Sequence, residues 1–399
     1  MLSLKSRPYI EASVPVLREQ GVTITRAFYR NLFAEYPALT NLFNMGNQAN
    51  GSQQMSLASA VFAYAANYEN AAALAPVVSR IVQKHVSVGI TAEHYPIVGR
   101  HLLGAIKETL GDAATPELLD AWAEAYGLLA DALITAEQAL YADHRTSPGE
   151  YRKLRVTEIV PQSELVTSYT LEPVDDLATW TFTPGQYLSV AVDLPDGKHQ
   201  IRQYSLSDAP GRRTLRLSVK RESAGAETPA GQVSHWLHDT LSVGSVLEAT
   251  PPCGDFAPSE GGGPIVLLSA GVGITPMISA LNHIAQSDPE RQVIFAHAAR
   301  DRKNHSHRAD LDTARGAMPN LRTVVFYEHP DDNDAADGVC AGLMDVTRLP
   351  AWNPVEANVY LCGPMAFMRS QRAALSGSGV PDAQIHREVF GPEMLDQLA

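Results

Sequence analysis

The chain has 399 residues, of which 45% are hydrophobic and 19% are charged. These values are typical of a globular protein with two or three domains. The net charge of −13 argues against a nucleic-acid binder. No apolar run is long enough to span a membrane and the N-terminus lacks the pattern of a secretion signal, so we expect a cytoplasmic protein that is not integral to a membrane. Three widely spaced cysteines (Cys253, Cys340, Cys362) argue against a disulfide framework and are too few for an iron–sulfur cluster.

The first part of the chain, roughly 145 residues, has helical periodicity and no alternating strand pattern. We predict a helix from about Ser13 to Ala34. A later helix places Gln53 and Leu57, which are four residues apart, on one face.

Residues 81–103 have the pattern of a metal-ligand helix followed by the start of another helix. His85 lies among apolar residues at helical spacing, Gly89 is typical of a helix C-terminus, and Tyr95-Pro96 is typical of a first turn. A lone histidine on such a face is more often a core residue than a ligand.

Glu137 raises the probability that His85 is a ligand, because a carboxylate in an apolar helix is costly without a partner. A glutamate that accepts the imidazole N–H, and is itself held by the Tyr95 hydroxyl, would orient His85 and make it a stronger donor. Strong donation favours O–O chemistry over oxygen storage.

The polar segment ADHRTSPGE, between Tyr141 and Tyr151, is typical of a domain boundary. Short β-rich runs with turn signals follow it and predict an antiparallel barrel. Within them, Arg202-Gln203-Tyr204-Ser205 combines a donor fork for a pyrophosphate, an aromatic face for a ring system and a small hydroxyl near a redox-active nitrogen.

Two further segments belong with this one. Pro184-Gly185-Gln186-Tyr187 offers a second aromatic side chain. Gly231-Gln232-Val233-Ser234 begins an apolar helix whose N-terminal amides would suit phosphate.

From Gly261 onward, apolar strands alternate with helices, which predicts a parallel sheet. The first strand runs into a glycine-rich turn that permits close approach of a pyrophosphate, although it is not G-x-G-x-x-G. The turn consists of Ala270, Gly271, Val272, Gly273, Ile274, Thr275 and Pro276. Cys362-Gly363-Pro364 ends another strand; the usual role of such a cysteine is that of a small buried hydrophobic residue.

The helical segment resembles a bacterial globin, specifically the haem domain of the flavohaemoglobins. The resemblance implies that His85 is the proximal ligand of haem b iron, with Tyr95 and Glu137 as its supporting pair. It also implies that Phe43 packs against the haem and that Tyr29, Gln53 and Leu57 form the distal pocket. A phenol and an amide over iron can donate hydrogen bonds to bound oxygen, while Leu57 limits the space.

The remainder resembles the ferredoxin-reductase-like family, through PGQY, RQYS, GQVS and GVGITP in that order. The FAD contacts implied are Tyr187, Arg202, Gln203, Tyr204, Ser205, Gly231, Gln232, Val233 and Ser234. The resemblance assigns NADH or NADPH to the turn at 270–276 and to Cys362, Gly363 and Pro364. It places the C-terminal Glu388, Val389, Phe390, Gly391 and Pro392 at the flavin, with Glu388 also near the haem.

The resemblance covers essentially the whole chain and implies a multi-domain fold. An all-α globin haem domain would occupy residues 1–145, an antiparallel β-barrel FAD domain 150–260, and an α/β parallel-sheet NAD(P)H domain 261–399. It also implies nitric oxide dioxygenation: NAD(P)H reduces FAD, FAD reduces the haem, and oxygen on ferrous haem turns nitric oxide into nitrate. We expect a monomer whose small-molecule partners are oxygen and nitric oxide.

Three alternatives remain open. A haem- and flavin-dependent NADH oxidase or lipid hydroperoxide reductase would use the distal pocket for a hydrophobic or lipid ligand. A non-catalytic oxygen carrier or sensor would not need the reductase half. A reductase whose globin part has lost haem would make His85 a core residue.

Several charged residues lie outside these motifs. Lys84 either helps to set the haem potential or is a solvated surface lysine. Arg300 and Arg302 could favour the 2′-phosphate of NADPH. His305 and His307 are expected to be solvated, and DDNDAAD (331–337) to be an acidic surface loop.

Overall fold

The computed structural model describes residues 1–175, 177–225, 229–259, 261 and 263–391. It confirms the predicted order of an all-α part, an antiparallel barrel and a parallel α/β sheet. Among these residues, no helix is both long and apolar enough to cross a membrane. The predicted flavin-side residue Pro392 lies outside the described ranges.

The helical part is followed by a short linker. Its helices are α1 (Arg7–Glu35), α2 (Met45–Ala49), α3 (Ser52–Asn67), α4 (Ala71–Val88), α5 (His94–Leu110) and α6 (Pro116–His144), with a 3₁₀ turn at Pro37–Leu42. The predicted start of α1 at Ser13 was wrong, because the helix begins at Arg7 with a proline in its first turn, where no N–H is lost. Helix α6 continues into the predicted linker and ends only at His144.

Helix α4 has a clear signal at each end. The Asn70 side chain caps its N-terminus by accepting the Ala73 N–H at 3.1 Å. Gly89, at φ 81°, ends it in the left-handed conformation that glycine adopts without strain. The predicted stop at Gly89 is therefore confirmed, and it places His85 in the last turn of the helix.

The barrel consists of antiparallel strands in the order β4-β3-β6-β1-β2-β5. They are β1 (Arg152–Pro161), β2 (Val166–Pro173), β3 (Tyr187–Asp193), β4 (His199–Ser205), β5 (Leu215–Lys220) and β6 (Val246–Ala249). A backbone bridge between Leu206 and Leu217 joins the two ends of this sheet. Side chains such as Leu154 and Leu188 are fully buried inside, each contributing about 1.5–3 kcal/mol. Helix α7 (Gln232–Thr240) packs on β5.

The C-terminal sheet is parallel throughout, in the order β10-β9-β8-β7-β11-β12. Its strands are β7 (Ile265–Ala270), β8 (Val293–Ala299), β9 (Leu321–Tyr327), β10 (Cys340–Ala341), β11 (Asn358–Cys362) and β12 (Ile385–Glu388). Its helices are α8 (Ile274–Ser287), α9 (Arg308–Ala317), α10 (Asp332–Ala336) and α11 (Met365–Gly377). The strand order reverses between β7 and β11, where ligands of such sheets bind at the carboxyl ends.

Helix α4 packs directly on the barrel. Val82 and Val86 share one apolar cluster with Tyr187 and Cys253 of the barrel. The Gln83 side chain accepts the Gly254 N–H at 2.8 Å. The helix that carries His85 is therefore held against the strand that carries Tyr187.

Candidate functional site

Three helices bring His85, Tyr95 and Glu137 together. The His85 Nδ1–H donates to Glu137 Oε1 at 2.7 Å and lies 3.1 Å from the Tyr95 hydroxyl oxygen. Tyr95 donates to the same carboxylate oxygen at 2.5 Å. Glu137 is 3% exposed, so these two donors take the place of the water molecules that would otherwise hydrogen-bond to its carboxylate. Burial, followed by the hydrogen bond to Glu137, raises the pKa of Tyr95, and the phenol keeps its proton.

The free nitrogen of His85 fits a metal ligand. With Nδ1 committed to Glu137, the neutral ring presents Nε2 as its lone-pair donor. Nε2 makes no hydrogen bond within the described part of the chain, and the side chain is 33% exposed. A core histidine would be expected to have both ring nitrogens satisfied. This chemistry suits axial ligation of haem iron.

A second group of residues surrounds Tyr29 on α1. Gln53 Nε2 donates to the Tyr29 hydroxyl oxygen at 3.3 Å. The Tyr29 ring lies edge-on to Phe43 with centroids 5.7 Å apart, and Leu57 packs in the same cluster. Burial raises the pKa of Tyr29, so its hydroxyl stays protonated. Because Gln53 is the donor in their contact, the Tyr29 proton remains available for a ligand.

In the barrel, the predicted aromatic and polar residues occupy paired strands. Tyr187 on β3 pairs with Ser205 on β4, and Tyr204 is the neighbour of Ser205. The Arg202 guanidinium is half-buried and donates to the Gln200 side chain at 2.9 Å. Burial lowers the pKa of Arg202.

Lys84 links the helical part to this strand pair. Its Nζ donates to Gln203 Oε1 at 2.7 Å and lies 5.6 Å from the centroid of the Tyr187 ring. Desolvation by surrounding atoms lowers the pKa of Lys84 to about 8, while the Glu388 charge acts in the opposite direction. The Lys84 side chain is exposed to solvent, and its ammonium group is hydrogen-bonded to the barrel. Both roles considered for Lys84 stay predictions.

The segment at 231–234 forms the N-terminus of α7. Gly231 is its N-cap, and Gln232 and Val233 begin the helix. The Ser234 hydroxyl is turned inward, donating to the Gly231 carbonyl at 2.9 Å. The backbone amides at this end are the groups that could bind phosphate.

The turn after β7 lies against the end of β11. A Cβ at Gly273 would come within 2.4 Å of the Cys362 carbonyl oxygen, so only glycine fits there. A Cβ at Gly363 would come within 2.8 Å of the Phe367 ring and 3.1 Å of the Ala270 side chain. By contrast, Gly271 has φ 55° and open space where a Cβ would lie, as a pyrophosphate cradle requires.

The remaining residues of this turn are inside the sheet-helix core. Ile274, Thr275 and Pro276 are buried in the first turn of α8, while Val272 is half-buried and its carbonyl accepts the Thr275 hydroxyl at 3.1 Å. Pro364 caps α11.

The C-terminal residues follow strand β12. Glu388 pairs in register with Cys362, at the carboxyl edge of the sheet. Val389 and Gly391 are half-buried, whereas Phe390 is 47% exposed. An exposed aromatic side chain at this edge could cover a flavin ring.

Sequence reasoning missed several supporting residues. Tyr126 donates to the Tyr95 carbonyl at 2.7 Å, and Tyr141 donates to the Ile90 carbonyl at 3.0 Å, next to the end of α4. Tyr126 and Tyr141 share an apolar helix with Glu137, and that placement was the available signal.

The expectation that His305 and His307 are solvated was wrong. They are 3% and 0% exposed, because the segment folds between β8 and β9 and the barrel. The His305 ring lies 4.6 Å from that of His297, and His307 Nε2 lies 3.0 Å from the Ser218 hydroxyl of the barrel. The sequence around His305 and His307 is polar, and it gave no indication that these residues contact the barrel.

Comparisons with known proteins agree with this layout. Residues 26–133 match the globin family, 153–257 an oxidoreductase FAD-binding domain and 267–373 an oxidoreductase NAD-binding domain. A flavohemoprotein from Bordetella parapertussis is 48% identical over 98% of this chain and 99% of its own. One from Rhizobium meliloti is 46% identical over 99% of both.

The chain belongs to the flavohemoprotein family.

Solved structures support the same fold. The flavohemoglobin from Malassezia yamatoensis, with bound FAD and heme, has a TM-score of 0.85 at 29% identity, covering 98% of this chain and all (100%) of that one. The FAD/NAD-binding domain of a nitric oxide dioxygenase from Vibrio cholerae has a TM-score of 0.56 at 36% identity, covering 60% of this chain and 99% of that one. This flavohemoprotein is therefore an oxidoreductase that uses haem, FAD and a nicotinamide dinucleotide. The predicted domain boundaries and the roles of individual residues stay predictions.

Proposed function

We propose that this flavohemoprotein is a nitric oxide dioxygenase, which joins nitric oxide and dioxygen to give nitrate with electrons from NADH or NADPH. The observation that carries the proposal is the hydrogen-bonded triad of His85, Tyr95 and Glu137 in the same chain as a distal phenol. A strongly donating histidine favours oxygen activation, which a simple carrier does not need. The nitric oxide dioxygenase named among the similar structures supports the same reaction class.

When bound, the haem supplies an iron that takes electrons singly and binds diatomic gases, and the flavin converts a hydride into single electrons. His85 would hold the iron through Nε2, with Glu137 taking its Nδ1–H. Tyr29, kept protonated by burial, would donate to the distal ligand while Gln53 fixes its hydroxyl oxygen. Phe43 and Leu57 would keep water from this side.

The reductase residues would bind and position the other two cofactors. Tyr187, Tyr204 and Phe390 offer aromatic faces, Arg202 and the start of α7 offer donors to phosphate, and the turn at 271–273 receives the dinucleotide. Lys84 would stand between haem and flavin, since it joins the His85 helix to the flavin strand. One chain carries all three modules, so we propose that it works as a monomer, in the cytoplasm where reduced dinucleotides are supplied.

The distal phenol provides the direct test. We expect Tyr29→Phe to slow nitric oxide consumption in air by about 10–100-fold, because a hydrogen bond to a charged acceptor is worth about 1.5–3 kcal/mol. The matched control is Tyr64→Phe on α3, which removes the hydroxyl of another partly buried tyrosine in the same helical part. Equal rates for wild type and Tyr29→Phe would contradict the distal role.

The apolar surroundings of Tyr29 support one rival, reduction of lipid hydroperoxides. It predicts NADH oxidation that depends on added hydroperoxide and needs no nitric oxide. Hydroperoxide turnover faster than nitric oxide turnover would favour that rival.

A further inference from the structure

The loop after β8 lies where the adenosine ribose of a dinucleotide is recognised. In sheets of this kind the pyrophosphate sits at the turn after the first strand, and the ribose at the end of the next strand. Here β7 carries the glycine turn, and β8 is its parallel neighbour. The chain leaves β8 through Arg300, Asp301 and Arg302. An acidic residue in this region suits the free 2′-hydroxyl of NADH, whereas an arginine suits the 2′-phosphate of NADPH.

The charge of Arg302 is already committed. Its Nε donates to Asp334 Oδ1 at 2.5 Å, and its Nη2 donates to Asp337. These two hydrogen bonds and ion pairs raise the pKa of the guanidinium. The pairing joins the loop after β8 to α10, the helix after β9, along the carboxyl edge of the sheet.

Asp334 is held in place independently of Arg302. It is 1% exposed, and its Oδ2 accepts the Asp331 N–H at 2.9 Å while Asp331 accepts the Asp334 N–H in return. This capping box fixes the carboxylate that receives Arg302. The acidic segment 331–337 lies on the surface as expected, but it forms the short helix α10 rather than a loop, and Asp334 is buried.

The same edge has an excess of negative charge. Residues 300–303 and 331–337 carry three basic and five acidic side chains. A 2′-phosphate brings further negative charge into this field, while a ribose hydroxyl does not.

We propose that this flavohemoprotein selects NADH over NADPH, and that Asp334 and Asp337 contribute to this selectivity by withholding Arg302, one of the two arginines of the loop after β8, from a 2′-phosphate. This choice concerns the hydride donor alone and does not depend on the nitric oxide reaction. Flavin reduction under anaerobic conditions therefore tests it even if the proposed function fails.

The experiment follows flavin bleaching in the holoenzyme by stopped flow, with NADH and with NADPH. We expect the wild type to be reduced about 10-fold or more faster by NADH at equal low concentration. Asp337 is largely exposed, so Asp337→Asn should fold, and we expect it to raise the NADPH rate about 3–10-fold with little change for NADH. Asp332→Asn is the matched control, since it removes an equal charge from α10 but does not contact Arg302.

Arg302→Ala separates the two possible roles of the arginine. In the wild-type background we expect it to change the NADPH rate by less than about 3-fold, and in the Asp337→Asn background to abolish the gain. Equal or faster reduction of the wild type by NADPH would overturn the proposal. So would a large loss of NADPH activity in Arg302→Ala alone, or an unchanged NADPH rate in Asp337→Asn.

Discussion

At the scale of single residues, Glu137 is the group on which the His85 geometry depends. Its Oε1 accepts hydrogen bonds from both the imidazole N–H and the Tyr95 hydroxyl, and the Glu137 side chain is almost fully buried. A carboxylate polarises the imidazole more than a neutral amide would, because its charge is not screened by water.

We expect Glu137→Gln to keep the shape of this contact but weaken it. The iron–histidine stretching frequency of the ferrous protein, measured by resonance Raman spectroscopy, should fall, and nitric oxide turnover should drop by about 10–100-fold. Tyr95→Phe is the companion variant: it leaves the carboxylate in place and should shift the frequency less. An unchanged frequency in Glu137→Gln would show that the carboxylate does not act through His85.

Lys84 gives a prediction for pH dependence. Its pKa is lowered to about 8, mainly by desolvation, so its positive charge is lost as pH rises through that value. A cation beside a redox centre stabilises the reduced, more negative form. We expect the haem midpoint potential to fall above pH 8, and Lys84→Gln to lower the potential at pH 7 and remove this step. A step of equal size in Lys84→Gln would assign it to another group.

At the scale of elements, the turn between β7 and α8 is fixed by its contact with β11. A Cβ at Gly273 would clash with backbone atoms of Cys362 and Gly363. Backbone atoms cannot move aside as the end of a flexible side chain can. We expect Gly273→Ala to destabilise the protein by about 1–3 kcal/mol and to slow flavin reduction by NADH.

The control for that variant is Gly316→Ala on α9, in the same sheet-helix unit, where an added Cβ meets nothing within 4 Å. It should stabilise by up to about 1 kcal/mol, because alanine is the better helix former. Calorimetry and stopped-flow flavin reduction measure both effects. Equal melting temperatures for Gly273→Ala and wild type would contradict the packing argument.

The buried histidines of the C-terminal sheet predict an acid sensitivity. Burial lowers the pKa of His297 to about 3 from 6.5, and burial also lowers those of His305 and His307. At a pH between the lowered pKa of the folded state and the ordinary value of 6.5, the unfolded chain binds more protons than the folded one. The free energy of unfolding therefore rises with pH by up to about 1.4 kcal/mol per pH unit for each histidine. Denaturant unfolding from pH 7 to 5 should show this slope, and His297→Gln should reduce it. An equal slope of unfolding free energy against pH in wild type and variant would show that His297 does not cause the acid sensitivity.

The sequence allowed prediction of features that rest on local rules. Periodicity and the glycine stop placed His85 at the end of α4, and the strand runs predicted both sheets. It did not allow prediction of contacts between distant polar residues. The burial of His305 and His307, and the pairing of Arg302 with Asp334, arise from tertiary packing that brings separate loops together, and their local sequence is as polar as that of a solvated surface.

At the scale of the whole molecule, the packing of α4 on the barrel connects the modules. The helix that carries His85 shares an apolar cluster with Tyr187, and Lys84 reaches Gln203 on the neighbouring strand. If the flavin lies at Tyr187 and Gln203 as proposed, electrons would pass to the His85 side of the helical part through packed protein.

We propose that one chain couples hydride oxidation to nitric oxide dioxygenation. The measurement that tests it most directly is the ratio of nitrate formed to NADH consumed by the haem- and FAD-loaded protein in air with nitric oxide. A hydride carries two electrons and each nitrate requires one, so we predict about two nitrate ions per NADH. Rapid NADH oxidation without nitrate would contradict the account and identify an oxidase instead.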